Sequence, residues 1–440
     1  MACYNDSVKT ILTAKLKLHT TAETGHRLLD TARAYRNALN YTSRVAFENG
    51  KLSNQVTLHR LVYPELRKRF ALPSQLACSV SRQVGATFKG LWTKVKKNAV
   101  HRKKGYTQKR YKGLDKAPVF TSETATFTYQ RDYRFKSGQQ VSLTTLDGPV
   151  VLAYEGYSKH LEWIHEGASG GVTFGPAKLW RDPRTKQFYL LVSLEVETPD
   201  PTPESLKGIK GMDLGERYLA VITTPGNKTQ FFRGGAIRQK GEAFQRVRSR
   251  LQSQGTRGAK RRLRQLTLRE RRFKADVNHC IAQAAVMPGF LIGWDDLTDI
   301  RERTAVRGNM NRRRRAKWAF VEWGAFIAYK AQMVGGLAIR VDADYTSPGC
   351  PHCGYVSDKN RPGQGLPFRC KPCGLTLHAD LVGARNVSLR TLLIRQDWMR
   401  TGLLSTAPDG SDAEAKAKRL QRFWKLRWSP DPSAALRRGS

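Results

Sequence analysis

From Lys9 to His19 the chain alternates polar and apolar, with Leu12, Ala14, Leu16 and Leu18 on one face, the period-two pattern of a half-buried strand. After Ala22 the period lengthens. Leu28, Ala32, Tyr35 and Leu39 recur at helical spacing up to a stop at Gly50, and helix-like sequence resumes from Leu58 to Val95. Between Val119 and Val196 short strand-like runs return, at Ala125–Tyr129, Val141–Leu143, Val150–Tyr154, Gly171–Phe174 and Phe188–Val196. That rhythm predicts a small β-barrel or sandwich, with Asp182-Pro-Arg-Thr-Lys-Gln as a hairpin turn. Thr198-Pro-Asp-Pro-Thr-Pro-Glu-Ser then reads as a linker.

Beyond the linker the pattern changes. A strand from Ile209 delivers Asp213, breaks at Gly215 and resumes from Tyr218 to Thr223. A basic helical stretch runs from Arg238 to Lys274. Phe290-Leu-Ile-Gly-Trp is a buried-strand pattern ending in Asp295-Asp296, of which only one can face a common site, because neighbouring strand residues point opposite ways. An apolar helix from Ala316 to Val334 and a strand near Leu337 lead to clustered cysteines. Ser411 and Glu414 form a capping box before a last helix with Phe423, Trp424 and Trp428. Trp294, Trp318 and Trp323 read as core residues, and Asn278 and His279 as polar positions on a helix. The whole reads as a multidomain α+β protein.

Charge narrows the partner class. The 440 residues carry 77 Lys plus Arg against 36 Asp plus Glu, a formal net charge of +41, while 40% hydrophobic residues suffice for a folded core. Such a field attracts polyanions, nucleic acid above all. A guide–target heteroduplex of ~20 base pairs presents about 40 phosphates, compatible in scale with the excess, but a ribosomal protein would satisfy the same arithmetic, so charge names the partner class only. The positive charge concentrates in three segments, 94–116, 238–274 and 301–317. Lys103 and Lys104 in the first and Arg312, Arg313, Arg314 and Arg315 in the third are the candidate nucleic-acid contacts. No apolar run approaches the ~20 residues of a membrane span and no secretory signal opens the chain, so a cytoplasmic protein with reduced thiols and no membrane partner is expected. Cys3, Cys78 and Cys280 are scattered, ordinary thiols.

The other four cysteines form two knuckles, Cys350-Pro-His-Cys353 and Cys370-Lys-Pro-Cys373, each followed by glycine. Two such knuckles bring four thiolates around one structural zinc ion, and with four sulfurs in place neither His352 nor His378 is needed as a ligand. Asp213, Asp295 and Asp380 each lie at a strand end or helix start. A carboxylate in such apolar company is expensive to bury uncompensated, so a metal or a hydrogen-bond network is expected. Three converging acids can hold two divalent ions for phosphodiester hydrolysis.

The order of Gly-Met-Asp213-Leu-Gly, Asn278-His279, Ile-Gly-Trp-Asp295-Asp-Leu, Tyr345-Thr-Ser-Pro-Gly-Cys-Pro-His-Cys-Gly and His-Ala-Asp380 with Ala384-Arg-Asn386 resembles the transposon-encoded TnpB proteins and the small type V CRISPR effectors. The match covers roughly residues 206–395. The resemblance implies a split β-barrel wedge domain (1–20 and 117–200) interrupted by a helical recognition domain (21–116), then a ribonuclease H-like (RuvC) domain (206–345 and 378–395) carrying an inserted zinc ribbon (346–377), and a basic C-terminal tail (396–440). It further implies an RNA-guided DNA endonuclease, nucleoid-associated when on DNA, with guide RNA and target DNA as partners. Asp213, Asp295 and Asp380 would be the catalytic acids, holding two Mg2+. Two of the motifs depart from the family pattern. Asp295 stands where Glu is usual, and Val382-Gly383 where Asn-Ala is common. The shorter Asp295 gives a second reading, an RNA-guided DNA-binding protein acting by occupancy with feeble cleavage. A third is a transposition accessory with no guide.

Overall fold

The computed structural model describes residues 7–167, 171–215, 217–224, 228–296, 320–362, 367–406 and 413–428. Arg312–Arg315, Trp318 and Ser411 lie outside these residues. The chain divides into two compact units, Lys9–Glu197 and a second built from Met1–Val8 with Thr198–Ser440.

In the first unit, strand β1 (Ser7–Leu18) is followed by three helices, α1 (Ala22–Glu48), α2 (Gln55–Phe70) and α3 (Ser74–Lys103). Six more strands follow: β2 (Thr124–Phe127), β3 (Tyr133–Lys136), β4 (Gln140–Thr145), β5 (Gly148–Glu155), β6 (Val172–Arg181) and β7 (Phe188–Pro199), with α4 (Ser158–Glu166) between β5 and β6. The seven strands form one sheet in the order β2-β6-β7-β1-β5-β4-β3. The expected inward faces are inward: Ala14, Leu16 and Leu18 on β1 are fully buried, as are Leu28 and Tyr35 on α1. Thr21 caps α1, its hydroxyl accepting from the Thr24 amide while Thr24 reaches back to the Thr21 amide. Gly50, with φ +76°, ends the turn after α1, a conformation costly for a residue with a Cβ.

The second unit holds a five-stranded sheet of β8 (Gly208–Asp213), β9 (Tyr218–Thr223), β10 (Thr229–Arg233), β11 (Phe290–Asp295) and β12 (Leu337–Val341), ordered β10-β9-β8-β11-β12. β8, β11 and β12 are parallel, and β9 and β10 antiparallel. Where a single basic helical stretch was expected there are two helices, α5 (Gly235–Gln254) and α6 (Arg257–Ala285). Gly255 in the left-handed region ends the first, and the Thr256 hydroxyl caps the second. Arg248 of α5 pairs with Glu270 of α6 and links the two helices, while Lys274, one turn further along α6, pairs with the same carboxylate.

α6 and α7 (Phe320–Gln332) cover one sheet face, with Met212, Trp294, Ile281, Trp323 and Ile327 in a common core. Asn278 and His279 belong to this layer. Asn278 donates to Glu322, and the His279 ring stacks on Phe326 at 3.7 Å. The other face is covered by α8 (Ala379–Thr401), whose Val387, Leu392 and Ile394 pack with Ile209, Leu291, Ile339 and Val341.

α8 lies unusually close to the sheet because glycines face it. Gly211 and Gly293 are register partners on adjacent strands. A Cβ on Gly211 would lie 2.3 Å from the Ala384 carbonyl oxygen and the Ser388 amide nitrogen, and one on Gly293 would lie 1.8 Å from Thr391 Oγ1. The segment after α8 differs from a plain basic tail. α9 (Ala413–Lys425) packs Phe423 into a cluster with Leu389 and Leu393, and the Trp428 amide donates to the Pro351 carbonyl.

Candidate catalytic site and metal centre

The register that aligns Gly211 with Gly293 also aligns the acids two residues later. Strand residues two apart share a face, so Asp213 and Asp295 stand side by side at the ends of β8 and β11, both toward α8. Asp380 enters from the first turn of α8. Its amide donates to Nδ1 of His378, the residue that caps the helix. Gly383, one turn further on, lies against Asp213, where a Cβ would be 2.8 Å from Oδ1. The departure from Ala noted at this position therefore has a steric role here.

The electrostatics are those of crowded anions. Burial, then the Asp295 and Asp380 charges, hold the Asp213 carboxyl well above the ordinary range, with Arg361 opposing. Asp295 is buried, which raises it to about 7 against the pull of Asp213 and Arg390. Asp213 and Asp295 share a side-chain hydrogen bond, while Asp295 Oδ1 is buried with no hydrogen-bond partner among the described residues. A buried lone oxygen beside two further carboxylates fits a divalent cation, whose charge would offset the repulsion. Asp296 follows on the other strand side, its amide donating to the Val341 carbonyl.

Three residues in this neighbourhood were not singled out from sequence. Asp342, just past β12, adds to the field that raises Asp295. Arg390, one of the few buried arginines, pairs with Asp342 at 3.8 Å, donates to the Asp344 carbonyl and lies 4.2 Å from the centre of the Phe423 ring. Arg361 comes from the cysteine module. An acid directly after a strand parallel to that of Asp295 is the one signal the sequence offered for Asp342. Arg390 and Arg361 become visible only through tertiary packing.

Between β12 and α8 the four cysteines meet. Cys350 and Cys373 Sγ are 3.6 Å apart, Cys353 and Cys370 Sγ 3.4 Å, and all four lie within 4.8 Å of one another. Zn–S bonds of about 2.3 Å in a tetrahedron set sulfurs roughly 3.8 Å apart, so the cluster fits zinc, whereas a disulfide requires about 2.05 Å. The two knuckles share one backbone pattern. The Gly354 amide donates to Cys350 and the Gly374 amide to Cys370, while the Cys350 and Cys370 amides donate to Tyr355 and Leu375. Both glycines have positive φ. β13 (Pro367–Arg369) and β14 (Thr376–His378) pair beside them. Asn386 ties the module to α8, its Nδ2 donating to the Thr346 and Gly349 carbonyls.

The structure thus brings together Asp213, Asp295 and Asp380, and separately the four cysteines. Lys103 and Lys104 belong to the other unit, exposed at the C-terminal end of α3 near the exposed Tyr106.

Two acids at adjacent strand ends with a third from the facing helix, and a four-cysteine module inserted before the third, form two donor sets that could hold metal ions. The family described as Cas12f1-like, TNB domain, matches residues 320–387, the stretch containing the cysteine module. The CRISPR-associated endodeoxyribonuclease Cas12f1 of Sulfoacidibacillus thermotolerans is 28% identical over 257 residues, covering 54% of this chain and 58% of that protein. A TnpB-like protein of Methanocaldococcus jannaschii is 27% identical over 249 residues, covering 54% of this chain and 84% of that protein. The chain thus aligns with little more than half the length of the first of these relatives. Among solved structures, a Cas12f1–sgRNA–target DNA complex covers 87% of this chain and 99% of its own, with 12% identity and a TM-score of 0.47. Over about half its length the chain is thus similar to Cas12f1 and TnpB-like proteins. Among the described residues no helix is long and apolar enough to cross a membrane.

Proposed function

We propose that this protein is an RNA-guided DNA endonuclease whose cleavage site is Asp213, Asp295 and Asp380. The observation that carries the reading is the meeting of these acids on adjacent strands and the facing helix, with the cysteine module inserted ahead of the third. The names of the relatives, an endodeoxyribonuclease and a TnpB-like protein, support the same class.

Asp213 and Asp295, with Asp380, would hold Mg2+, probed by Asp213→Ala below. Bound Mg2+ supplies an activated water and stabilises the leaving oxygen of a phosphodiester. The protein's own part is positional. β8 and β11 fix two carboxylates in register, α8 brings the third, and the glycine contacts hold helix and sheet to one geometry. Arg390 restrains Asp295 and Asp342, and Arg361 offsets part of the charge around Asp213. Zinc in the cysteine cluster is structural and orders the route from β12 to Asp380. The two units would divide the work, with the basic α5–α6 pair, Lys103, Lys104 and Arg312–Arg315 meeting guide RNA and target DNA through their phosphates. The domain boundaries given above, with a wedge, a recognition insert and a RuvC-like nuclease, are part of this reading, as is a cytoplasmic site of action.

The test is cleavage of a target plasmid by the purified ribonucleoprotein in Mg2+. The unmodified complex is expected to cut. Asp213→Ala is expected to abolish cutting while target binding persists. Binding without any cutting by the unmodified complex would refute the nuclease reading and leave action by occupancy.

A further inference from the structure

The antiparallel registers extend the row of acids in an unexpected direction. Asp213 pairs with Val221, and Val221 pairs with Phe231, so Asp213 and Phe231 lie on the same sheet face, two strand spacings apart, or roughly 10 Å. Phe232, the next residue, points to the opposite face and packs against the core. Phe231 itself is 40% exposed on β10, an edge strand. A large exposed aromatic is a liability at a sheet edge and calls for an occupant.

Two more rings join it. Tyr218 lies 5.1 Å from Phe231 and 5.1 Å from His378, and His378 lies 5.5 Å from Phe231, all edge to face. His378 accepts the Asp380 amide at Nδ1, so the ring group is joined directly to the third acid. Arg217 directly precedes Tyr218, Arg233 is the register partner of Tyr218 across the strand pair, and both are exposed. Aromatic faces bordered by arginines form the usual platform for an unpaired strand, since rings accept any base and guanidinium groups take the phosphates. Paired bases have their faces covered by neighbours, so a duplex would not use it.

We propose that Phe231 and Tyr218, braced by His378, stack an unpaired base of the DNA strand being cut, with Arg217 and Arg233 on its phosphates. This rests on the nuclease reading and deepens it. Phe231 is a positioning residue, which sets the strand beside Asp213 and Asp380.

The experiment uses the full chain with its co-purified RNA and a short single-stranded DNA containing 2-aminopurine, in EDTA, followed by target cleavage in Mg2+. The parent and Asp213→Ala are expected to quench the probe equally. Phe231→Ala and Phe231→Leu are both expected to lose the quenching and bind on the order of ten-fold more weakly, while Phe231→Trp retains both. In cleavage the two weak variants raise KM more than they lower kcat. Rescue by Leu, which restores apolar bulk but no aromatic face, would overturn the proposal in favour of a packing role. So would unchanged quenching in Phe231→Ala, or stronger quenching of an RNA probe than of DNA. Quenching that depends on Phe231 in a complex that never cuts would sustain the platform and refute the nuclease reading.

Discussion

Gly211→Ala is the sharpest test of how the site is held. The new methyl would lie 2.3 Å from the Ala384 oxygen and Ser388 nitrogen and 2.6 Å from Ser388 Cα, all backbone of α8. Nonbonded contacts relax near 3.5 Å, so helix and strand must part by about 1 Å. Overpacking of this kind costs ~1–3 kcal/mol. At about 2–4 °C per kcal/mol for a unit of this size, Tm falls by roughly 2–12 °C. The catalytic effect should be larger than the stability effect, because α8 carries Asp380. A 1 Å misplacement costs on the order of a hundredfold in rate. Calorimetry and a plasmid cleavage time course measure the two effects side by side. Gly293→Ala is the control, since its main obstacle is the Thr391 hydroxyl at 1.8 Å, with Thr391 Cβ at 3.0 Å. Adding Thr391→Ala should largely rescue Gly293→Ala and leave Gly211→Ala impaired. Parental cleavage by Gly211→Ala, or its rescue by Thr391→Ala, would refute the contact.

Three further expectations follow from the site. Metal analysis should find about one zinc per chain, and Cys350→Ser with Cys353→Ser should remove it and expose the 346–377 segment to protease; a zinc-free native protein would contradict this. The carboxyls of Asp213 and Asp295 are raised in the folded state above the ordinary 3.8, so cleavage in Mg2+ should increase as pH rises through neutrality. Without metal, the unfolded chain ionises these groups first, and stability is lost as pH rises from the unfolded value toward about 7. The parent's Tm should therefore fall relative to Asp295→Asn over that range in EDTA, and a constant difference would count against the shared burial. Asp295→Glu should speed cleavage on the order of ten-fold if the shorter acid limits reach; robust cleavage that is unchanged by the substitution would dispose of the occupancy reading.

The strands carrying Asp213 and Asp295 were legible because each is an apolar run ending in acid, and the knuckles because their spacing is fixed by coordination. Less visible was why those strands are adjacent. Gly-Met-Asp and Gly-Trp-Asp repeat one pattern, in which the glycine admits α8 and the acid follows on the same face, but the pattern acquires meaning only once the strands pair. β3 escaped notice because its alternation, Tyr-Arg-Phe-Lys, lasts only four residues, and β10 because Thr-Gln-Phe-Phe-Arg does not alternate. Arg390 looked like one more positive charge in a basic chain. Its burial beside Asp342 and Phe423 depends on contacts more than thirty residues away. The split of the basic helix at Gly255-Thr256 was readable from capping chemistry alone, since a left-handed glycine followed by a threonine cap ends one helix and starts another.

The insertion of the cysteine module ahead of α8 also imposes an order of biosynthesis. Asp213 and Asp295 leave the ribosome well before Asp380. At ~5–20 residues per second, the 167 positions from Asp213 to Asp380 take roughly 10 to 30 s to make. During that interval Ile209, and Leu291 once it is made, have no α8 to cover them, and the acids lack their third member. On the nuclease reading proposed above, the nascent protein would be unable to cut until the cysteines have emerged and α8 has closed over the sheet, which would give guide RNA and zinc time to arrive before the cleavage centre exists.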